Sequence, residues 1–224
     1  MLLADTDTIY IPHVYTWGEY EGKVYLVTEY VYQAPHTREF QRSLGERIAH
    51  LHSYSESQFG LDWDNYIGSL PQSNTWHTQW SDFFITERLR PQVQRGFDIG
   101  YLTKTEVDQF ETLYQKIEEI FPQERPALIH GDLWSGNVLA TYEGTPALID
   151  PAVYYGHREI ELAFTQLFGG FSDEFYSGYE SVLRIPDGFE ERIPVYNLYP
   201  QLVHLNLFEG MFYTTIKETM QRYT

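Results

Sequence analysis

Cysteine is absent from the 224 residues. That excludes disulfides, thiolate nucleophiles and cysteine-based zinc sites, and it fits a reducing, cytoplasmic setting. Cationic side chains are scarce, with 15 Lys and Arg against 32 Asp and Glu, for a formal net charge of -17. Such a field repels polyanions, so neither nucleic acid nor an anionic membrane is expected as a partner. No apolar run approaches membrane-spanning length. The opening MLLADTDTIYIP lacks the basic flank and apolar centre of a signal peptide. Aromatic residues, by contrast, are abundant: 17% of the chain, mainly 19 Tyr and 14 Phe. Such rings bury much area and can line sugar- or base-binding clefts. With 42% hydrophobic residues, the chain reads as globular and long enough for a sizeable core.

The stretch Thr8 to Val31 is rich in β-branched and aromatic residues and is interrupted by Glu-Gly-Lys at 21–23, which predicts a hairpin. Phe40, Leu44, Ile48 and Leu51 then recur at helical spacing. From Ser55 to Thr75 the accumulation of Gly, Asp, Asn and Pro predicts a long loop. A helical pattern resumes at Trp76, with Pro91 expected to kink or divide it. Thr103 and Glu106 form a capping-box pattern for a helix bearing Val107, Phe110, Tyr114 and Ile117 on one face and ending before Pro122. ALIH, NVLATY and PALID read as short strands, and beyond Tyr155 the chain reads as helical, with a stop at Gly169 and an N-cap at Ser172.

Residues 130–137 spell HGDLWSGN. The pattern H-x-D-L-x-x-x-N is that of a kinase catalytic loop with Gly in place of the usual Arg. Its spacing has a chemical reason. An Asp must accept or orient the proton of an attacking hydroxyl, and an Asn five residues later must return to bind a metal ion on nucleotide phosphates. Asp150 closes the apolar segment ALID after a hairpin turn and offers a second oxygen ligand suited to Mg²⁺. Asp132, Asn137 and Asp150 therefore form a candidate site.

With IDPAVYYGHREIELAFTQLFGGF downstream, HGDLWSGN resembles the fructosamine kinase (ketosamine 3-kinase) family, a member of the aminoglycoside-phosphotransferase-like branch of the protein-kinase fold. The resemblance implies an α+β catalytic lobe, mostly helical, with a small catalytic hairpin. It implies ATP and Mg²⁺, and phosphorylation of a sugar hydroxyl on a ketosamine or glycated lysine, a deglycating activity. Asp132 would be the base, and Asn137 and Asp150 the metal ligands. The backbone of Glu29, Tyr30 and Val31, in TEYV, would meet adenine. Alternatives are a kinase for an aminoglycoside or choline-like alcohol, and a non-catalytic pseudokinase-like binding module.

Further candidates are less specific. Trp134 is suited either to stacking on a sugar face or to packing. Tyr154, Tyr155 and Phe171 are candidates either for the acceptor cleft or for packing alone. His130 is expected to hold the loop rather than react. His157, Glu159 and Glu161 have a metal-like look but read as structural, since acids favour a helix start. A glycine-rich phosphate loop and a strand Lys paired with a helix Glu, both needed in this reaction, are not found before the hinge. Lys23 lies only six residues before Glu29, too close for an intervening helix. By resemblance, residues 1–33 are a remnant of an N-terminal lobe with its hinge, residues 34–224 are the catalytic lobe, and ATP should bind weakly.

Overall fold

The computed structural model describes residues 2–223. Strands β1 (Val14–Tyr20) and β2 (Lys23–Thr28) form the expected antiparallel hairpin, with Tyr20 opposite Lys23. Glu21 and Gly22 both take positive φ, 50° and 74°, the turn that suits a two-residue hairpin. Helix α1 (Arg38–Leu51) is capped by the Thr37 side chain, which accepts the Phe40 amide at 3.1 Å. Its apolar stripe is fully buried. The predicted loop 55–75 is not structureless: β3 (Asn65–Ile67) and β4 (Leu70–Gln72) make a small hairpin within it.

Helix α2 (Trp80–Phe83) runs through a wider π turn (Phe84–Leu89) into α3 (Arg90–Asp98). Pro91 thus modifies the helix without ending it. Proline lacks the amide that would bond the Glu87 carbonyl. That carbonyl is taken instead by the buried Arg88 guanidinium at 3.1 Å. The same guanidinium donates to Ser73 O and Asn74 Oδ1, both at 2.6 Å, and lies 4.0 Å from the centre of the Tyr154 ring. It therefore anchors the 63–74 segment to the core.

Helix α4 (Lys104–Tyr114) has the full capping box. It breaks at Gln115 and resumes as α5 (Ile117–Ile120), so the single helix expected up to Pro122 is two. Two ribbons follow, one pairing β5 (Ala127–Ile129) with β8 (Tyr154–Gly156), the other pairing β6 (Val138–Ala140) with β7 (Pro146–Leu148). The sequence pattern did not foresee β8. The rest is α6 (Arg158–Leu167), α7 (Asp173–Glu180), α8 (Phe189–Tyr196), α9 (Leu198–Leu207) and α10 (Tyr213–Tyr223). Ser172 does occupy the N-cap position of α7, but its hydroxyl donates to Glu174 at 2.7 Å rather than capping the backbone.

The core lies among α1, α2, α4 and α6–α9 and closes around β5 and β8. Helices α1 and α7 cross at contact distance. A Cβ on Gly45 would stand 2.0 Å from the Phe175 carbonyl oxygen, so only glycine allows that approach. Among the described residues no helix is long and apolar enough to cross a membrane.

Candidate active site

The two short ribbons bring the motif residues together. Strand β5 delivers His130 to Asp132. A turn of 3-10 helix (Ser135–Asn137) returns the chain into β6, and β7 leads to Asp150. Asn137 is the joint. Its Nδ2 donates to Asp132 Oδ2 at 3.0 Å, to the Asp132 carbonyl at 2.9 Å and to the Asp150 carbonyl at 3.5 Å. With the nitrogen spent, the free atom of the Asn137 amide is Oδ1, an acceptor. Asp150 is exposed, and its carboxylate makes no hydrogen bond or ion pair among the described residues. Both free oxygens are of the donor type a hard divalent cation takes, and the 3.5 Å contact of Asn137 Nδ2 with the Asp150 carbonyl makes the two residues neighbours. Asp150 has φ 51°, which aims it out of the strand direction.

Asp132 is partly buried, and that burial pushes its carboxyl up to about 6; Glu161 and Asp150 add to the rise while Asn137 opposes it. A carboxylate tuned near neutrality suits proton transfer. His130 is fully buried. Its Nε2 donates to the Ile149 carbonyl at 2.9 Å and its Nδ1 accepts the Asp132 amide at 3.3 Å, so it spans the two ribbons as a neutral ring, burial lowering its pKa. Gly131 has φ 83°, and a Cβ there would sit 2.1 Å from the Ala152 carbonyl oxygen. The Ala152 amide in turn donates to the His130 carbonyl at 2.9 Å.

Asp132 opens onto a pocket of about 280 Å³ lined by Ile67, Trp134, Phe164, Phe168, His204 and Phe208, with other residues of α9. Trp134 and Phe168 meet edge to face, 6.2 Å between centres. His204 donates from Nδ1 to the Pro200 carbonyl at 2.8 Å, which leaves Nε2 as an acceptor, and burial keeps the ring neutral. Sequence reasoning missed Phe168, His204 and Phe208. Their only signal was the spacing of His204 in α9 and Phe208 just past its end, four residues apart, with Phe168 closing α6.

Tyr155 is not where it was expected. Strand alternation sends it to the face opposite Tyr154, where it stacks with Trp76 at 6.2 Å and packs near Leu128. Tyr154 is buried behind Asp132 instead, and Phe171 packs on Phe175. His157, Glu159 and Glu161 do not converge: Glu159 is forked by Arg192, while His157 caps α6. No cluster of three His, Cys, Asp or Glu suited to a metal occurs among the described residues.

At the hinge, the Glu29 amide is engaged with the His13 carbonyl at 2.7 Å. The Glu29 carbonyl and the Val31 amide make no hydrogen bond among the described residues. The Glu29 side chain accepts from Tyr10 Oη at 2.5 Å and from the His13 amide at 3.3 Å, so its carboxylate anchors this segment.

A loop presenting a partly buried carboxylate, two free oxygen donors and unpaired backbone groups at residues 29–31 are what a phosphotransferase of the protein-kinase-like fold presents. Solved aminoglycoside phosphotransferases share that fold; one in complex with gentamicin superposes with a TM-score of 0.58 at 16% identity. The fructosamine kinase family model matches residues 1–224, and the chain belongs to that family. A protein named a probable ketoamine kinase from Vibrio parahaemolyticus is 40% identical over 224 residues, covering 99% of this chain and 76% of its own length. A counterpart from Enterococcus faecium is 34% identical over 215 residues. A crystal structure assigned as a fructosamine-3-kinase from Haemophilus somnus superposes over 99% of this chain and 76% of its own, with a TM-score of 0.90 at 27% identity. Another so assigned, from Thermobifida fusca, gives 0.87 at 34%, over 98% and 77%.

Proposed function

We propose that this chain transfers a phosphoryl group from ATP to a sugar hydroxyl of a ketosamine, with Asp132 as the base. The observation that carries the reading is the position of Asp132: its carboxyl, raised to about 6, stands at the mouth of the aromatic pocket and is fixed by Asn137. Oδ2 is held by the Asn137 amide, so Oδ1 is the oxygen left for the acceptor hydroxyl. Above its pKa the carboxylate takes the hydroxyl proton as the oxygen attacks the terminal phosphorus and the bond to the diphosphate breaks. Trp134, Phe168 and Phe208 flank the sugar and its amine substituent, and His204 Nε2 accepts a hydrogen bond from either.

Asn137 Oδ1 and the Asp150 carboxylate would hold Mg²⁺, which supplies charge neutralisation at the phosphate oxygens. The Glu29 carbonyl and Val31 amide would receive adenine, with residues 1–33 forming the hinge-bearing arm and 34–224 the catalytic lobe. The phosphorylated ketosamine then sheds its amine, which makes the activity deglycating; a cysteine-free chain of this kind suits the cytoplasm.

The test is a panel of fructosamine, ribulosamine, an aminoglycoside and choline with labelled ATP. Transfer to the ketosamines, lost in Asp132→Asn, supports the reading, whereas preference for another alcohol or retained turnover in the variant overturns it.

A further inference from the structure

The turn between α9 and α10 is strained. Within Phe208–Phe212 three residues take positive φ: Glu209 at 49°, Gly210 at 83° and Phe212 at 66°. Glycine enters that region freely. A bulky side chain there is an outlier, because its Cβ crowds the following carbonyl. Such a conformation persists only when its surroundings hold it, and here they do so at three points. The Gly210 amide donates to the Leu205 carbonyl at 3.1 Å, and the Phe212 carbonyl accepts the Ile216 amide at 3.0 Å, closing the first turn of α10. Beside it, Tyr213 Oη donates to Glu106 Oε1 of α4 at 2.5 Å.

What the strained residue achieves lies one layer behind the acceptor pocket. The half-buried Phe212 ring meets Phe168 and His204 edge to face, 5.8 and 5.7 Å between centres. Phe168 and Phe208 stand 4.9 and 5.3 Å from the same imidazole. Three rings, from the end of α6, the end of α9 and the start of α10, thus enclose the one histidine of the pocket. Phe168 and Phe208 line that pocket; Phe212 does not, and reaches it only through the rings it backs. The imidazole is otherwise held by its bond to the Pro200 carbonyl, and a single hydrogen bond contributes little net. With an ordinary negative φ at 212 the Cβ would leave on another bearing and take the ring out of the cluster. Side chains already ordered in the free protein need not be ordered when a ligand arrives, which favours binding.

We infer that Phe212 is a positioning residue: its left-handed backbone aims a ring that braces Phe168 and His204, so that the acceptor meets a wall already in place. The effect on turnover rests on the phosphotransfer reading of the site; the brace itself does not.

The experiment compares Phe212→Ala and Phe212→Gly in the whole chain, with Val195→Ala as a buried truncation in α8. Both changes at 212 remove the ring, but only glycine is at ease with that φ. Three quantities are read: the denaturant midpoint, the order parameter of the ¹³C-labelled His204 ring, and KM for a fructosamine and for ATP. Glycine ordinarily destabilises relative to alanine; here Phe212→Gly should have the higher midpoint of the two. Both should loosen the His204 ring to the same degree, from about 0.85 to below about 0.6. Both should raise acceptor KM by roughly tenfold and leave KM for ATP within about threefold. Val195→Ala should lower the midpoint with ring order and acceptor KM unmoved. Unchanged ring order in folded Phe212→Ala overturns the inference. So does a midpoint for Phe212→Ala above that of Phe212→Gly, or an acceptor KM that is unchanged or merely follows the midpoint across the three variants. If the unaltered chain phosphorylates no ketosamine, the functional reading fails by itself. The brace is then judged on ring order and on the two midpoints: a looser ring with Phe212→Gly the more stable supports it, and either result reversed ends it.

Discussion

At the scale of single residues, Asp132 shows a conflict between stability and chemistry. Burial raises its carboxyl to about 6 against the ordinary 3.8, so at neutral pH the folded chain holds a charge it would rather not hold. Asp132→Asn removes that charge and keeps the shape. It should lower turnover by about 10²–10⁴-fold, the usual loss for a general base, and raise the melting temperature, both on the same preparation. Trp134→Ala is expected to raise KM for the acceptor by roughly tenfold, since losing one flanking ring removes on the order of 1 kcal/mol; KM for ATP should not move. The polar members of the site were legible because their chemistry demands fixed spacing: Asp132 and Asn137 are five apart on one loop. The pocket wall was not. Phe168 and His204 come from separate helices, their residue types are those of any core, and only packing makes them neighbours. Tyr155 failed for a related reason: one position along β8 decides which face a ring sees.

At the scale of elements, long amphipathic helices and the apolar strands β5 to β7 were readable, whereas β3, β4 and β8 were not. Helix α1 carries four apolar residues in one register and a Thr cap, enough to specify it locally. Strand β8 has three residues, one of them glycine, and exists because β5 lies beside it. The π turn before Pro91 likewise depends on Arg88, whose carbonyl and ring partners are scattered over residues 73–154. The crossing of α1 and α7 gives a sharp prediction. Gly45→Ala places a methyl against the Phe175 carbonyl and should destabilise the fold by about 1–3 kcal/mol, the range of overpacked cores, seen as a lower denaturant midpoint. Because His52, at the end of α1, bonds both Tyr179 of α7 and Glu161, whose carboxylate takes the His130 and Gly131 amides, turnover measured well below that midpoint should fall as well.

At the scale of the whole molecule, acid sensitivity has an identifiable source. His157 is fully buried, held neutral by desolvation, with its pKa lowered to about 4 from 6.5. Between those values the unfolded chain binds the proton that the folded chain refuses, so this residue's stabilisation is complete above about 6.5 and is lost as pH falls toward 4, by about 3 kcal/mol in all. Unfolding curves at pH 7.5, 5.5 and 4.5 should show that slope, and His157→Asn should flatten it. The fold's global likeness to its relatives was visible in the motif, whereas the ties that make the site one body were not. Ala152, two residues past Asp150, gives its amide to the His130 carbonyl, and its own carbonyl takes the Gln72 side chain at 3.1 Å. Val153 is tied to Asn65 at 2.8 Å. A segment tied to β5 on one side and to the β3–β4 hairpin on the other has no second resting place, so Asp132 and Asp150 move as a single block. Swinging that segment out of line would break all three bonds at once, so it has no room to act as a switch.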